Sequence, residues 1–170
     1  MNKNFSFSRL TLPKKLMIVA LASLSLVSCL TTTDDPKPAT TNSSWTFNGT
    51  KYTPDSVRRN DYALLATYGN PFYVGGGEIN FVFKTYPKAS GTYKMVGFNI
   101  NGGQPANDNE VTVGATGNVS GGPFYSSSSA NANATVTVTN GKVHIVVPSV
   151  WASNIDKTDS VKISADVIEP

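Results

Sequence analysis

The sequence predicts an all-β domain, and three observations carry that prediction. Short bursts of alternating apolar and polar residues begin at Trp45 and continue to the end of the chain. Gly, Asn, Pro and Ser separate the bursts. From Trp45 onward no stretch carries an i, i+3, i+4, i+7 apolar stripe through three helical turns. About eight or nine short strands with tight connections argue for an antiparallel β-sandwich, with a small β-barrel as the alternative.

In chain order, the first element is an address. Residues 1–15 are polar and basic, and residues 16–27 are apolar apart from Ser23 and Ser25. A membrane-crossing helix needs about 20 apolar residues, so this run fits the core of a secretory signal instead. It ends in Leu26-Val27-Ser28-Cys29. That ending resembles the lipobox of bacterial lipoproteins. The resemblance implies cleavage between Ser28 and Cys29, and a diacylglycerol thioether on Cys29. The covalent lipid on Cys29 is the only cofactor-like group expected. A single acyl chain holds weakly at about 0.8 kcal/mol per buried CH₂, whereas two or more hold firmly. Leu30 stands where familiar inner-membrane lipoproteins carry Asp, which implies the outer membrane. Asp34-Asp35 loosely resembles an acidic export tag for the cell surface, leaving periplasmic and surface orientations both open.

A flexible tether is expected over 29–44. It has almost nothing to bury and so no reason to fold. Pro36 and Pro38 stiffen it, and fully extended it would span about 45 Å at about 3.1 Å per residue. A single β-rich domain is expected over 45–170. At this size it should bury close to two-thirds of its unfolded surface and fold without staples.

Within that domain, residues 45–47 and 50–53 read as strands around Asn48-Gly49. Residues 62–68 read as a strand or a short helical turn. Residues 78–84 give the clearest alternation, with Ile79, Phe81 and Phe83 on one face. Strands follow at 92–100, 110–115 and 124–129. The clearest hairpin joins 135–139 to 142–147 across Asn140-Gly141, a pair suited to a type I′ turn. A two-residue loop sets the register: Val138 opposes Val143, Thr137 opposes His144, and Val136 opposes Ile145. A last strand covers 160–168, and Trp151 is expected to anchor the crossover before it to the core. The sandwich is preferred to the barrel because small barrels of the lipocalin type usually carry a helix, and no good helix is found.

Trp45-Thr46-Phe47-Asn48-Gly49-Thr50-Lys51-Tyr52, then Gly91-Thr92-Tyr93, then the hairpin of 135–143 follow one another in this order. The series resembles small β-domain lipoproteins of Bacteroidetes, a group that implies no known activity.

Composition narrows the chemistry. Of 14 Lys+Arg, four (Lys3, Arg9, Lys14, Lys15) precede Cys29, leaving 10 against 11 Asp+Glu, or about −1. A nearly neutral mature chain gives no electrostatic reason to bind nucleic acid. One Cys and one His exclude disulfide frameworks, Cys-rich zinc sites and Cys/His catalysis within the chain. Gly117-Asn118-Val119-Ser120-Gly121 has its Ser one place late for a nucleophile elbow. His144, the single imidazole, reads as a solvated strand residue. Glu78, Glu110, Asp55 and Asp61 read as surface acids rather than a hydrolytic pair. Gly75-Gly76-Gly77 lacks the Lys-Ser/Thr of a phosphate loop and reads as a hairpin loop. Residues 107–110 read as an acidic turn, without the spacing of a calcium loop. No metal and no catalytic residue is expected.

The candidate ligand-binding residues are Tyr62, Tyr68, Phe72 and Tyr73, around the turn Gly69-Asn70-Pro71. Aromatic rings on loops suit sugar faces or peptide strands, though the same rings could fill the core. Asp55-Ser56-Val57 and Asp159-Ser160-Val161 each resemble a short O-glycosylation signal, which makes Ser56 and Ser160 candidate acceptors. The expected function is a non-enzymatic, lipid-anchored binding module of the cell envelope, with a glycan or envelope protein as partner. A structural or assembly subunit is the alternative, and a hydrolase ranks last.

Overall fold

The computed structural model describes residues 42–71, 73–98, 103–117, 124–127 and 132–170. The chain divides into two units, Met1–Asp34 and Asp35–Pro170, and every described residue belongs to the second. Ser28, Cys29 and the expected leader lie outside the described residues, as does the tether up to residue 41.

The domain is all-β, with eleven strands among the described residues. The first two form a hairpin, β1 (Ser44–Phe47) and β2 (Thr50–Tyr52). Asn48 (φ 47°) and Gly49 (φ 83°) turn it, both in the left-handed region that a type I′ turn demands. Ser43 is buried, and its Oγ accepts the Ile168 N–H at 2.9 Å.

β3 (Ser56–Arg59), β4 (Ala63–Tyr68) and β5 (Gly77–Phe83) form an antiparallel meander. Of residues 62–68, Ala63–Tyr68 thus settle as strand rather than helical turn. Ile79, Phe81 and Phe83 are fully buried on the face that the alternation assigned to the core. Each contributes about 1.5–3 kcal/mol of burial. β6 (Gly91–Val96), β7 (Glu110–Gly117) and β8 (Tyr125–Ser127) come next. β9 (Asn133–Thr139), β10 (Lys142–Asn154) and β11 (Ser160–Ile168) complete the chain. The β9–β10 register is the one that the Asn140-Gly141 turn dictates: Val138 to Val143, Thr137 to His144, Val136 to Ile145.

The strands form one sheet in the order β2-β1-β11-β10-β9-β6-β7-β5-β4-β3. It departs from the expected pattern in one pairing, because β6 runs parallel to β7 over Lys94–Val96. The strand that the alternation did not anticipate is Ser56–Arg59, a short segment with two arginines that pairs with β4. β8 pairs with both β10 and β7. Near one end, β9 and β6 therefore separate β10 from β7; near the other, β8 alone does so. At roughly 4.8 Å per strand the gap narrows from about 14 Å to about 10 Å. Such a sheet must curl. The curl carries β1 and β2 over the opposite half, where Phe47 meets Tyr125 edge-on at 5.5 Å.

β10 holds the main correction. Val143, Ile145 and Val147 point inward, so an uninterrupted strand would also bury Trp151. A bulge between Val147 and Val150 inserts one extra residue opposite β11. It accommodates Pro148, which has no N–H to give a ladder. The bulge also reverses the parity: Ala152 is fully buried and Trp151 is 58% exposed, with Lys162 Nζ 5.3 Å from its ring centre. Trp151 does not anchor a crossover to the core.

Candidate functional site

The type I′ turn of the first hairpin places Trp45 directly opposite Tyr52. Their rings stack at 5.0 Å with 12° between planes. Tyr52 continues across the core to a place where β5 and β7 offer no side chain, because Gly77 and Gly117 are register partners. A Cβ on Gly117 would stand 2.9 Å from the Tyr52 hydroxyl, and one on Gly77 3.1 Å from its ring. Two glycines thus make the floor on which Tyr52 lies. Its hydroxyl is buried without a hydrogen-bond partner among the described residues. Burial raises its pKa, and Tyr68 adds to the rise.

Tyr68, at the end of β4, meets Tyr52 edge-on at 5.8 Å. The loop after it is tightly folded. Asp55 Oδ2 accepts the Gly69 N–H at 2.7 Å, Asn70 O accepts the Tyr73 N–H, and Tyr73 O accepts the Gly76 N–H. A side chain on Gly76 would collide with the Asn70 carbonyl, so this reversal needs glycine. The loop leaves Tyr73 65% exposed. Between loop and hairpin lies a cleft of about 340 Å³ lined by Thr50, Lys51, Tyr52, Thr53, Tyr68 and Gly75. Its described lining offers phenol rings, two threonine hydroxyls and one ammonium, with no carboxylate, imidazole or thiol.

The four candidate aromatics do not share one place. Tyr68 and Tyr73 belong to this loop end, and Phe72 lies outside the described residues. Tyr62 is exposed at the other end of β4, about 20 Å away at about 3.3 Å per residue. The sequence reading missed Lys51 and Tyr52 as lining residues. The Asn-Gly turn was the usable signal, since its register sets Tyr52 opposite Trp45.

A second cleft, of about 470 Å³, lies near Tyr62 and is lined by Arg59, Asn60, Asp61, Thr85, Tyr86 and Lys88. The Arg59 guanidinium stacks on the Tyr86 ring, 4.0 Å from its centre. Nη1 of Arg59 donates to Gly141 O at 3.3 Å and to Glu169 Oε1 at 3.5 Å.

The remaining candidates are placed as follows. Ser56 is buried, with its Oγ accepting from Arg58 Nε, whereas Ser160 is exposed beside Asp159. His144 lies on the open sheet face, with Nε2 2.7 Å from Asp166 Oδ1. Glu78 is partly buried on β5, and burial raises its pKa against the lowering effect of an Asn80 hydrogen bond. Glu110 closes the 107–110 turn on Asn107, whose side-chain hydrogen bond holds its pKa down. Compared with family models, curated proteins and solved structures, the chain finds no match in any of the three.

Proposed function

We propose that this protein is a non-enzymatic, lipid-anchored binding module of the cell envelope, and that the Tyr52–Tyr68 cleft takes a neutral glycan. The anchor is the diacylglycerol on Cys29 implied by Leu26-Val27-Ser28-Cys29, and the expected location is the outer membrane. The observation that carries the binding reading is the edge-to-face Tyr52–Tyr68 pair, set in an open cleft with Lys51, Thr50 and Thr53. Sugar rings present C–H faces to aromatic groups and hydroxyls to polar ones, and this lining offers both. The loop and hairpin are held by backbone bonds and glycine contacts, so little ordering is needed on binding.

The assembly reading, in which a free sheet edge pairs with another chain, is less well supported. The terminal strands β2 and β3 are three and four residues long and carry Lys51, Arg58 and Arg59, features that blunt edge pairing.

Calorimetric titration of the full chain in detergent with neutral oligosaccharides tests the cleft. Binding that falls about tenfold or more in Tyr68→Ala supports it. Failure of every oligosaccharide, or hydrolysis of one, removes it. Growth on labelled palmitate tests the anchor, which requires label on the native chain and none on Cys29→Ser.

A further inference from the structure

We propose that the second cleft, at the Arg59 end of β4, binds a carboxylate carried on a sugar ring, a uronic-acid unit. Its lining has more donors than acceptors. Asn60 Oδ1 accepts the N–H groups of Tyr62 and Ala63 at 3.0 and 2.7 Å, which fixes the amide and leaves Nδ2 without a partner among the described residues. Both bonds from Arg59 leave through Nη1, so Nε and Nη2 remain open among the described residues. Lys88 Nζ is open in the same sense. The acceptors are fewer. Thr85 Oγ1 donates to Asp108 Oδ1, and Glu169 is engaged by Tyr86, Val143 and Arg59. Asp61 is the one acid of the lining.

The guanidinium is oriented before any ligand arrives, stacked on Tyr86 and tied by Nη1. A planar fork with open N–H groups matches the two oxygens of a carboxylate. A cleft of about 470 Å³ has room for the ring that carries it. This site is separate from the neutral-glycan cleft and does not depend on it.

The test is calorimetric titration of the full chain in detergent with an oligogalacturonate, its neutral galactose counterpart and inorganic phosphate. The oligogalacturonate binds, and binds more weakly as salt rises. Arg59→Gln and Lys88→Gln each lower its affinity about tenfold or more. Asp61→Asn raises it, and Tyr68→Ala leaves it unchanged. Lys88 is exposed, so its variant keeps the native melting curve even if Arg59→Gln does not. Absent binding, an unchanged affinity in folded Lys88→Gln, or, in Tyr68→Ala, equal affinity for the neutral oligomer overturns the proposal. Displacement by an equal concentration of phosphate overturns the sugar assignment.

Discussion

Tyr86 and Glu169 stand 83 residues apart in the chain and meet through a 2.9 Å bond from the phenol to Oε2. The same oxygen accepts the Val143 N–H at 2.8 Å, while Oε1 faces Arg59 Nη1 at 3.5 Å. One carboxylate therefore joins the β5–β6 connection, the start of β10, the end of β3 and the C-terminal segment.

Removing that carboxylate strands its donors. Glu169→Ala leaves the Tyr86 hydroxyl and the Val143 N–H without this acceptor, and the expected loss is about 2–3 kcal/mol. Glu169→Gln keeps one acceptor oxygen, and its loss is about 1 kcal/mol. Urea unfolding of both variants checks the order, and equal losses would show that charge rather than acceptance matters.

High pH acts on the same pair. Burial, the hydrogen bond to Glu169 and that carboxylate's charge all push the Tyr86 pKa up, against a smaller lowering from Arg59. Tyr125 shifts the same way through its bond to Asp159. A phenol whose pKa is raised by folding contributes stability that is whole below the unfolded value of about 10. That contribution fades as pH rises through the folded value. Unfolding midpoints should therefore fall above pH of about 10, and Tyr86→Phe should flatten the fall.

Tyr52 predicts the opposite of an ordinary polar deletion. Its hydroxyl is buried and has no partner among the described residues, so the folded state bears its desolvation without return. Tyr52→Phe should leave stability unchanged or raise it by about 1 kcal/mol. A loss of that size in thermal unfolding would reveal an acceptor for the hydroxyl.

The two glycosylation candidates differ in access. Ser160 is exposed, whereas Ser56 is 4% exposed and its Oγ accepts from Arg58. If the folded domain is modified, Ser160→Ala should abolish the mass increment and Ser56→Ala should leave it intact. Intact-mass spectrometry of the envelope fraction decides, and loss on Ser56→Ala alone would reverse the assignment.

Local pattern determined what one strand or one turn can decide. Alternation in residues 79–83 assigned the core face, and two Asn-Gly turns fixed their hairpins, because a two-residue type I′ loop leaves a single register. The all-β class followed from the same local signals. Contacts between distant segments were beyond such reading. The pairing of Gly77 with Gly117, which makes room for Tyr52, joins residues on β5 and β7 across the sheet. The Glu169 junction needs four segments at once. Trp151 shows the reason most plainly: its side-chain direction depends on one extra residue near Pro148, and a slip of one residue turns every later side chain to the other face. Only the pairing of β10 with β11 decides where that slip falls.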